Sequence, residues 1–148
     1  MSIRILLADD HTIVLQGLSR FLREQEGIEV VGQAKDGLTI VELARDLTPD
    51  IIIMDISMPG LSGIEATRRI HSEKPGIKII GLSMHAAKRY VQEMYRAGAR
   101  GYLLKDCDFD ELVTAIQTVA AGGTYFAGEF AGIAAQEAAH DGSTVKRG

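Results

Sequence analysis

Four apolar residues, Ile51, Ile52, Ile53 and Met54, run without a polar break into Asp55, and the chain then passes through Ser57, Met58, Pro59 and Gly60. A short β-branched run of this kind is the pattern of a strand buried on both faces, as in a parallel sheet covered by helices. Pro59 and Gly60 force a turn, so Asp55 leaves the core at the carboxyl end of the strand. In open α/β sheets, ligands bind at that edge.

Around this strand the chain alternates between two periodicities. Residues 3–8 read as a first strand that runs into Asp9 and Asp10, and Val14, Leu18, Phe21 and Leu22 then share a helical face that Gly27 ends. Residues 28–34 are a second strand. Ile40, Val41, Ala44 and Leu47 mark a second helix, which Pro49 stops. Beyond the Pro59-Gly60 turn come a polar helix from Gly63 to Glu73 with Ile64 and Ile70 inward, and a fourth strand from Ile77 to Leu82. A thinly apolar helix over 86–97 carries Val91, Met94 and Tyr95, and a fifth strand over 101–104 ends at Lys105. Phe109, Leu112, Val113, Ile116 and Val119 give the cleanest helical face, capped by Gly122 and Gly123.

Five strands alternating with five helices predict right-handed βαβ units, a parallel five-stranded sheet and helices on both sides. Pattern alone does not order the strands; we take the flavodoxin-like, doubly wound order 2-1-3-4-5, which is known for such sheets. It makes strands 1 and 3 neighbours, so that Asp9, Asp10 and Asp55 converge. One domain over 1–123 is expected, followed by an alanine-rich tail over 124–148. A short helix near 129–140 and a disordered end are expected in that tail.

Composition narrows the function classes. With 46% hydrophobic and 24% charged residues the chain is an ordinary globular protein, and its formal charge of −4 supplies no basic stripe for nucleic acid. Cys107 is the only cysteine. It excludes an internal disulfide and a cysteine-based zinc site, fits a reducing compartment, and is expected to be an inert thiol. Apolar runs are too short for a membrane helix and the amino terminus enters a strand rather than a signal sequence, so a cytoplasmic location is expected.

Three carboxylates above one sheet edge repel one another: at an effective dielectric of about 20, charges ~4 Å apart cost roughly 4 kcal/mol per pair. A divalent cation with hard oxygen ligands and the Lys105 ammonium are the two available sources of positive charge. Mg²⁺ takes one or two carboxylates and keeps positions open for phosphate oxygens, so the site suits phosphoryl chemistry. Taken singly, each residue has an ordinary explanation: a helix cap for Asp9-Asp10 or Ser83, a turn residue for Asp55, a solvated lysine for Lys105. What argues for a site is their shared location at the carboxyl ends of strands 1, 3, 4 and 5.

Asp9-Asp10 after strand 1, Asp55 in DIIIMDISMPGLSG, Ser83 after strand 4 and Lys105 after GYLL together resemble the receiver domain of two-component response regulators. The likeness covers residues 3 to about 122. DDHTIVLQGL, MPGLSGIEATRRI, AGARGYLLKD and AAGGTYF look most like the LuxR/NarL/FixJ-type subfamily. The resemblance implies that Asp55 accepts a phosphoryl group from a histidine kinase, giving an aspartyl phosphate. It implies that Asp10, Asp55 and the Ser57 backbone carbonyl bind Mg²⁺, with Asp9 acting through water. Lys105 and Ser83 would hold phosphoryl oxygens. Tyr102 takes the place of the switch aromatic, turning inward on phosphorylation as Ser83 is drawn to the phosphate. His85 and Ser57 stand where the family tunes hydrolysis of the phosphoaspartate, and His11 is expected to be a solvated neighbour of the pocket. Asp106 replaces the proline that often follows the lysine in a cis bond, which puts such a bond at Lys105 in doubt.

The resemblance further implies a switch, with at most autophosphorylation and autodephosphorylation activity, and a phosphorylation-linked homodimer. DNA would be reached only through a helix-turn-helix domain absent from these 148 residues. A stand-alone relay is the alternative. A haloacid-dehalogenase-type phosphatase needs a general acid two residues after the nucleophile, where this chain has Ser57. An FMN carrier needs a phosphate cradle after strand 1, where two aspartates would repel it.

Overall fold

The computed structural model describes residues 2–84, 86–126 and 128–137, apart from the side chain of residue 129. Its elements are β1 (Ile3–Ala8), α1 (Thr12–Arg23), β2 (Ile28–Ala34), α2 (Gly37–Leu47), β3 (Ile51–Asp55), α3 (Gly63–Glu73), β4 (Lys78–Ser83), α4 (Lys88–Ala97), β5 (Gly101–Leu104), α5 (Phe109–Ala120) and β6 (Tyr125–Phe126). A 3-10 turn at Gly128–Phe130 and a helical stretch over 131–137 follow. The helix expected near 129–140 falls partly on that stretch; residues 138–140 of it and the expected disordered end lie outside the described residues.

The sheet is parallel throughout, in the order β2-β1-β3-β4-β5-β6. The expectation of five strands is corrected to six: Tyr125 and Phe126 pair with Gly101 and Tyr102 and extend the expected order by one edge strand. Two residues carry no period-2 signal, so the pairing is tertiary in origin. Gly101 admits it, because a Cβ there would lie 2.9 Å from the Tyr125 carbonyl oxygen.

Side chains alternate across the sheet and build two cores. Ile5, Leu7, Ile51, Ile53, Ile80 and Leu103 face α1 and α5, packing on residues such as Leu15, Leu22, Leu112 and Ile116. Leu6, Ile52, Met54, Ile79 and Tyr102 face α2, α3 and α4, and Phe126 and Phe130 join them from the end of the chain. All five residues of β3 are buried, as the uninterrupted run requires. Phe109, expected inward, is instead 47% exposed. It occupies the first turn of α5, beyond the sheet's cover, and stacks on Phe21 of α1 with ring centroids 4.1 Å apart. Among the described residues no helix is long and apolar enough to cross a membrane.

The loop after β3 is held by two close approaches. A Cβ on Gly63 would stand 1.9 Å from the Asp55 carbonyl oxygen, and one on Gly37 would stand 2.1 Å from that of Leu61. The Gly63 N–H donates to the Ile56 carbonyl at 2.8 Å, which pins the first turn of α3 beneath Asp55. Because the obstacle is backbone, it cannot swing aside as a side chain would. Gly63→Ala is therefore expected to cost about 2–3 kcal/mol, seen as a lower urea midpoint at unchanged slope; wild-type stability in this variant would show that the loop yields.

Candidate functional site

Asp9 and Asp10 follow β1, Asp55 ends β3, Ser83 ends β4 and Lys105 follows β5, so the strand order brings these residues to one edge. The sheet's other acid-bearing turns use their acids as caps: Asp36 accepts from the Thr39 N–H and Asp108 from that of Glu111, each at 2.8 Å. At α1 the N-cap is His11, with no side-chain cap bond. Asp9 and Asp10 are thus left for the pocket, and the capping explanation for them is overturned.

The charges are tightly knit. Lys105 Nζ lies 2.8 Å from Asp9 Oδ2 and 3.4 Å from Asp55 Oδ1, with all three side chains at most 6% exposed. Asp55 Oδ2 is buried and makes no hydrogen bond, while Asp9 Oδ2 meets the ammonium alone. Burial and the neighbouring Asp9 charge push the Asp55 carboxyl up to about 6, against the pull of the Lys105 ammonium and the Ser57 N–H. One lysine cannot balance two buried carboxylates, and a buried carboxylate oxygen without a hydrogen bond is a donor suited to a hard cation. The donor set fits one: ligand atoms of Asp9, Asp10, His11 and Asp55 lie within 4.8 Å of one another.

Two residues, His11 and Tyr102, differ from expectation in detail. His11 is mostly exposed, as expected, yet engaged: its Nδ1 lies 2.9 Å from Asp9 Oδ1, 3.2 Å from Asp10 Oδ1 and 3.3 Å from Lys105 Nζ. Its backbone N–H also donates to Asp9 Oδ1 at 2.8 Å. The signal in the sequence was its place directly after the acid pair, at the start of a helix with no capping side chain. Tyr102 is already fully buried, with Ser83 as a side-chain hydrogen-bond partner. Gly81, opposite Tyr102 across the β4–β5 pair, makes the room: a Cβ at 81 would stand 3.1 Å from the Tyr102 ring and 3.1 Å from Met94 Cε.

Ser57 is exposed at the pocket rim, and His85 lies outside the described residues. The Lys105-Asp106 peptide is trans, and the Lys105 N–H donates to the Ser83 carbonyl at 2.8 Å, tying the β5 and β4 ends together. Burial, helped by the Glu111, Asp108 and Asp106 charges, pushes the Cys107 thiol up to about 11, far from a reactive thiolate.

Two buried carboxylates, Asp9 and Asp55, with the more exposed Asp10 beside them and a lysine between, stand at the carboxyl edge of a flavodoxin-like sheet, the arrangement of an α/β domain suited to phosphoryl or cation chemistry. The family model for the response regulator receiver domain matches residues 5–117, and the chain belongs to that family of phospho-signalling switches. It is 46% identical over 124 residues to the transcriptional regulatory protein MctR of Rhizobium johnstonii, covering 84% of this chain and 58% of that one. Over 129 residues it is 41% identical to the response regulator UvrY of Escherichia coli, covering 87% of this chain and 59% of that one. The chain thus spans less than two thirds of the length of these curated relatives. Among solved structures it resembles a LuxR-family response regulator from Aurantimonas, with TM-score 0.85, 37% identity and coverage of 94% and 99% of the two chains. The NarL receiver domain of Mycobacterium tuberculosis follows, with TM-score 0.79, 31% identity and coverage of 82% and 98%.

The raised Asp55 value has a consequence for stability. In the unfolded chain this carboxyl titrates at its ordinary value of 3.8, so folding favours its protonated form. The ionised acid therefore destabilises the metal-free protein above pH 6, and the penalty fades as pH falls through 6 toward 3.8. Asp55→Asn is expected to stabilise the metal-free protein by about 1–3 kcal/mol at pH 7.5 and by almost nothing near pH 4, read from thermal melts across pH. Millimolar Mg²⁺ is expected to raise the melting temperature of the wild type more than that of the variant.

Proposed function

We propose that the chain is the receiver part of a transcriptional regulator and that Asp55 is its phosphoryl acceptor. The observation that carries this is the Asp55 carboxylate itself: one oxygen is gripped by Lys105, the other is buried without a partner, and both sit at the ligand edge of the sheet. A carboxylate oxygen of Asp55 attacks the phosphorus of a phosphohistidine on a sensor kinase. The P–N bond breaks with its electron pair going to the imidazole, and an acyl phosphate remains on Asp55. Lys105 accompanies the developing negative charge from its place between Asp55 and Asp9, and the Ser83 hydroxyl donates to a phosphoryl oxygen.

Asp10, Asp55 and the Ser57 carbonyl would hold Mg²⁺, with Asp9 reaching it through water. Bound there, the cation would neutralise charge that one lysine leaves uncompensated. We assign residues 1–123 to the receiver domain and 124–148 to the segment that leads out of it. We place the protein in the cytoplasm, with a histidine kinase as donor and a phosphorylation-linked homodimer as the active assembly. DNA would be contacted by a helix-turn-helix domain outside these 148 residues; the basis is that the matched relatives are longer and that some of them, such as MctR, are transcriptional regulatory proteins by name. The domain's own activity would be at most self-phosphorylation from a small donor and self-hydrolysis.

Incubation with acetyl phosphate and Mg²⁺ is expected to add the mass of one phosphoryl group to the wild type and none to Asp55→Asn. No gain in the wild type would end the proposal, and equal gain in the variant would move the acceptor elsewhere. Ser57→Ala and His85→Ala are each expected to change the rate at which the phosphoryl group is lost, measured by mass after donor removal. Unchanged decay in both would remove them from the site.

A further inference from the structure

The last described segment does not leave the domain; it turns back over it. After β6 pairs with β5, Phe130 enters the core on the α4 side, with only 2% of its surface exposed. Its ring meets the Tyr102 ring edge-on, at 5.2 Å between centroids and 78° between planes. Phe126 packs on Tyr95 of α4 at 5.8 Å. Ile133 and Ala134 lie against the same core cluster. At the far end, Glu137, 6% exposed, receives two hydrogen bonds from the Arg96 guanidinium on α4, at 2.9 and 3.0 Å. A bidentate pair with one partner buried fixes direction as well as position.

These contacts bear on the acidic site through one residue. Tyr102 lies between Phe130 and Gly81, so the docked segment closes the route by which the ring could leave the sheet. With the ring held, its hydroxyl stays toward Ser83. Because Tyr102 and Ser83 are side-chain hydrogen-bond partners, a held ring also fixes the position of the Ser83 hydroxyl, and a chain of hydroxyls strengthens its donation to an anion on Asp55.

We propose that residues 128–137 form a clamp which, by seating Phe130 on Tyr102 and closing Glu137 on Arg96, holds Ser83 ready for the phosphoryl group and couples occupancy of Asp55 to docking of the segment through which the chain leaves the domain. The proposal rests on Asp55 being the acceptor. Coupling of this kind is reciprocal: whatever factor docking contributes to ligand affinity, the ligand returns to docking.

The test is amide hydrogen exchange on the full chain with and without Mg²⁺ and beryllofluoride, a stable phosphoryl mimic, in wild type, Glu137→Gln and Phe130→Ala. Beryllofluoride is expected to slow exchange over 128–137 in the wild type by about 5-fold, at the low end of ordinary couplings. Glu137→Gln is expected to speed exchange over 131–137 without the mimic and to weaken beryllofluoride binding, measured by calorimetry, by a similar factor. Phe130→Ala should do both more strongly. Should it fail to fold, Glu137→Gln still decides, since Arg96 is largely exposed and the pair lies far from the buried charges. If the mimic protects the loop 56–62 but leaves 128–137 unchanged, the clamp is overturned and the acceptor stands. If it protects neither, the acceptor reading fails and the clamp with it.

Discussion

The structure depends on one buried ammonium. Lys105 Nζ, 2.8 Å from Asp9 and 3.4 Å from Asp55, is the positive charge that lets two carboxylates stay under the surface. Without it, burial would drive both to their neutral forms or pull the loops open to water. The lysine comes from β5, which does not touch β3; β4 stands between them. Only a side chain with a long flexible stem can start at the end of one strand and reach the acid two strands away. The tie between the Lys105 N–H and the Ser83 carbonyl sets where that stem begins. Strand order, strand length and the lysine are therefore parts of one constraint.

The pocket is left short of positive charge even so, and that deficit gives the site its character. A second lysine would have made a stable, inert ion cluster. Burial first, and Asp9 beside it, hold the Asp55 carboxyl up at about 6 against the pull of one lysine, with one oxygen unsatisfied. Such a group is costly to the fold and available to chemistry. Both properties have one cause, so a substitution that relieves the cost also removes the unsatisfied oxygen.

What could be read in the sequence was whatever has a period or a punctuation mark. The buried run of β3, the amphipathic faces of α1 and of α5 from Leu112 onward, and the acids and lysine at strand ends all carry local signals, and each stands where that signal put it. Other features depend on what the chain meets in space. Gly63 looks like any residue after a serine cap until Asp55's backbone is found 1.9 Å from its missing Cβ. β6 is two residues long, below any periodic signal. Phe109 fits the apolar stripe of α5 by spacing, but the stripe overruns the sheet, and the ring settles on Phe21 instead. Tyr102 is expected, by resemblance alone, to turn inward on phosphorylation, and it is already buried. Its burial follows from a glycine on the neighbouring strand and a phenylalanine 28 positions later.

Alternation along the strands also decides where news of the site can travel. Met54 and Tyr102 belong to the core shared with α2, α3 and α4, whereas Ile53 and Leu103, one residue away in each strand, belong to the core shared with α1 and α5. A change in the Ser83–Tyr102 pair thus disturbs the first core and is shielded from the second by the sheet itself. From the end of the chain, Phe126, Phe130, Ile133 and Ala134 all join the first. Two packed cores separated by a rigid sheet do not deform together. That separation is what allows one face to respond while α1 and α5 stay as they are, and it follows from nothing more elaborate than side chains pointing alternately up and down.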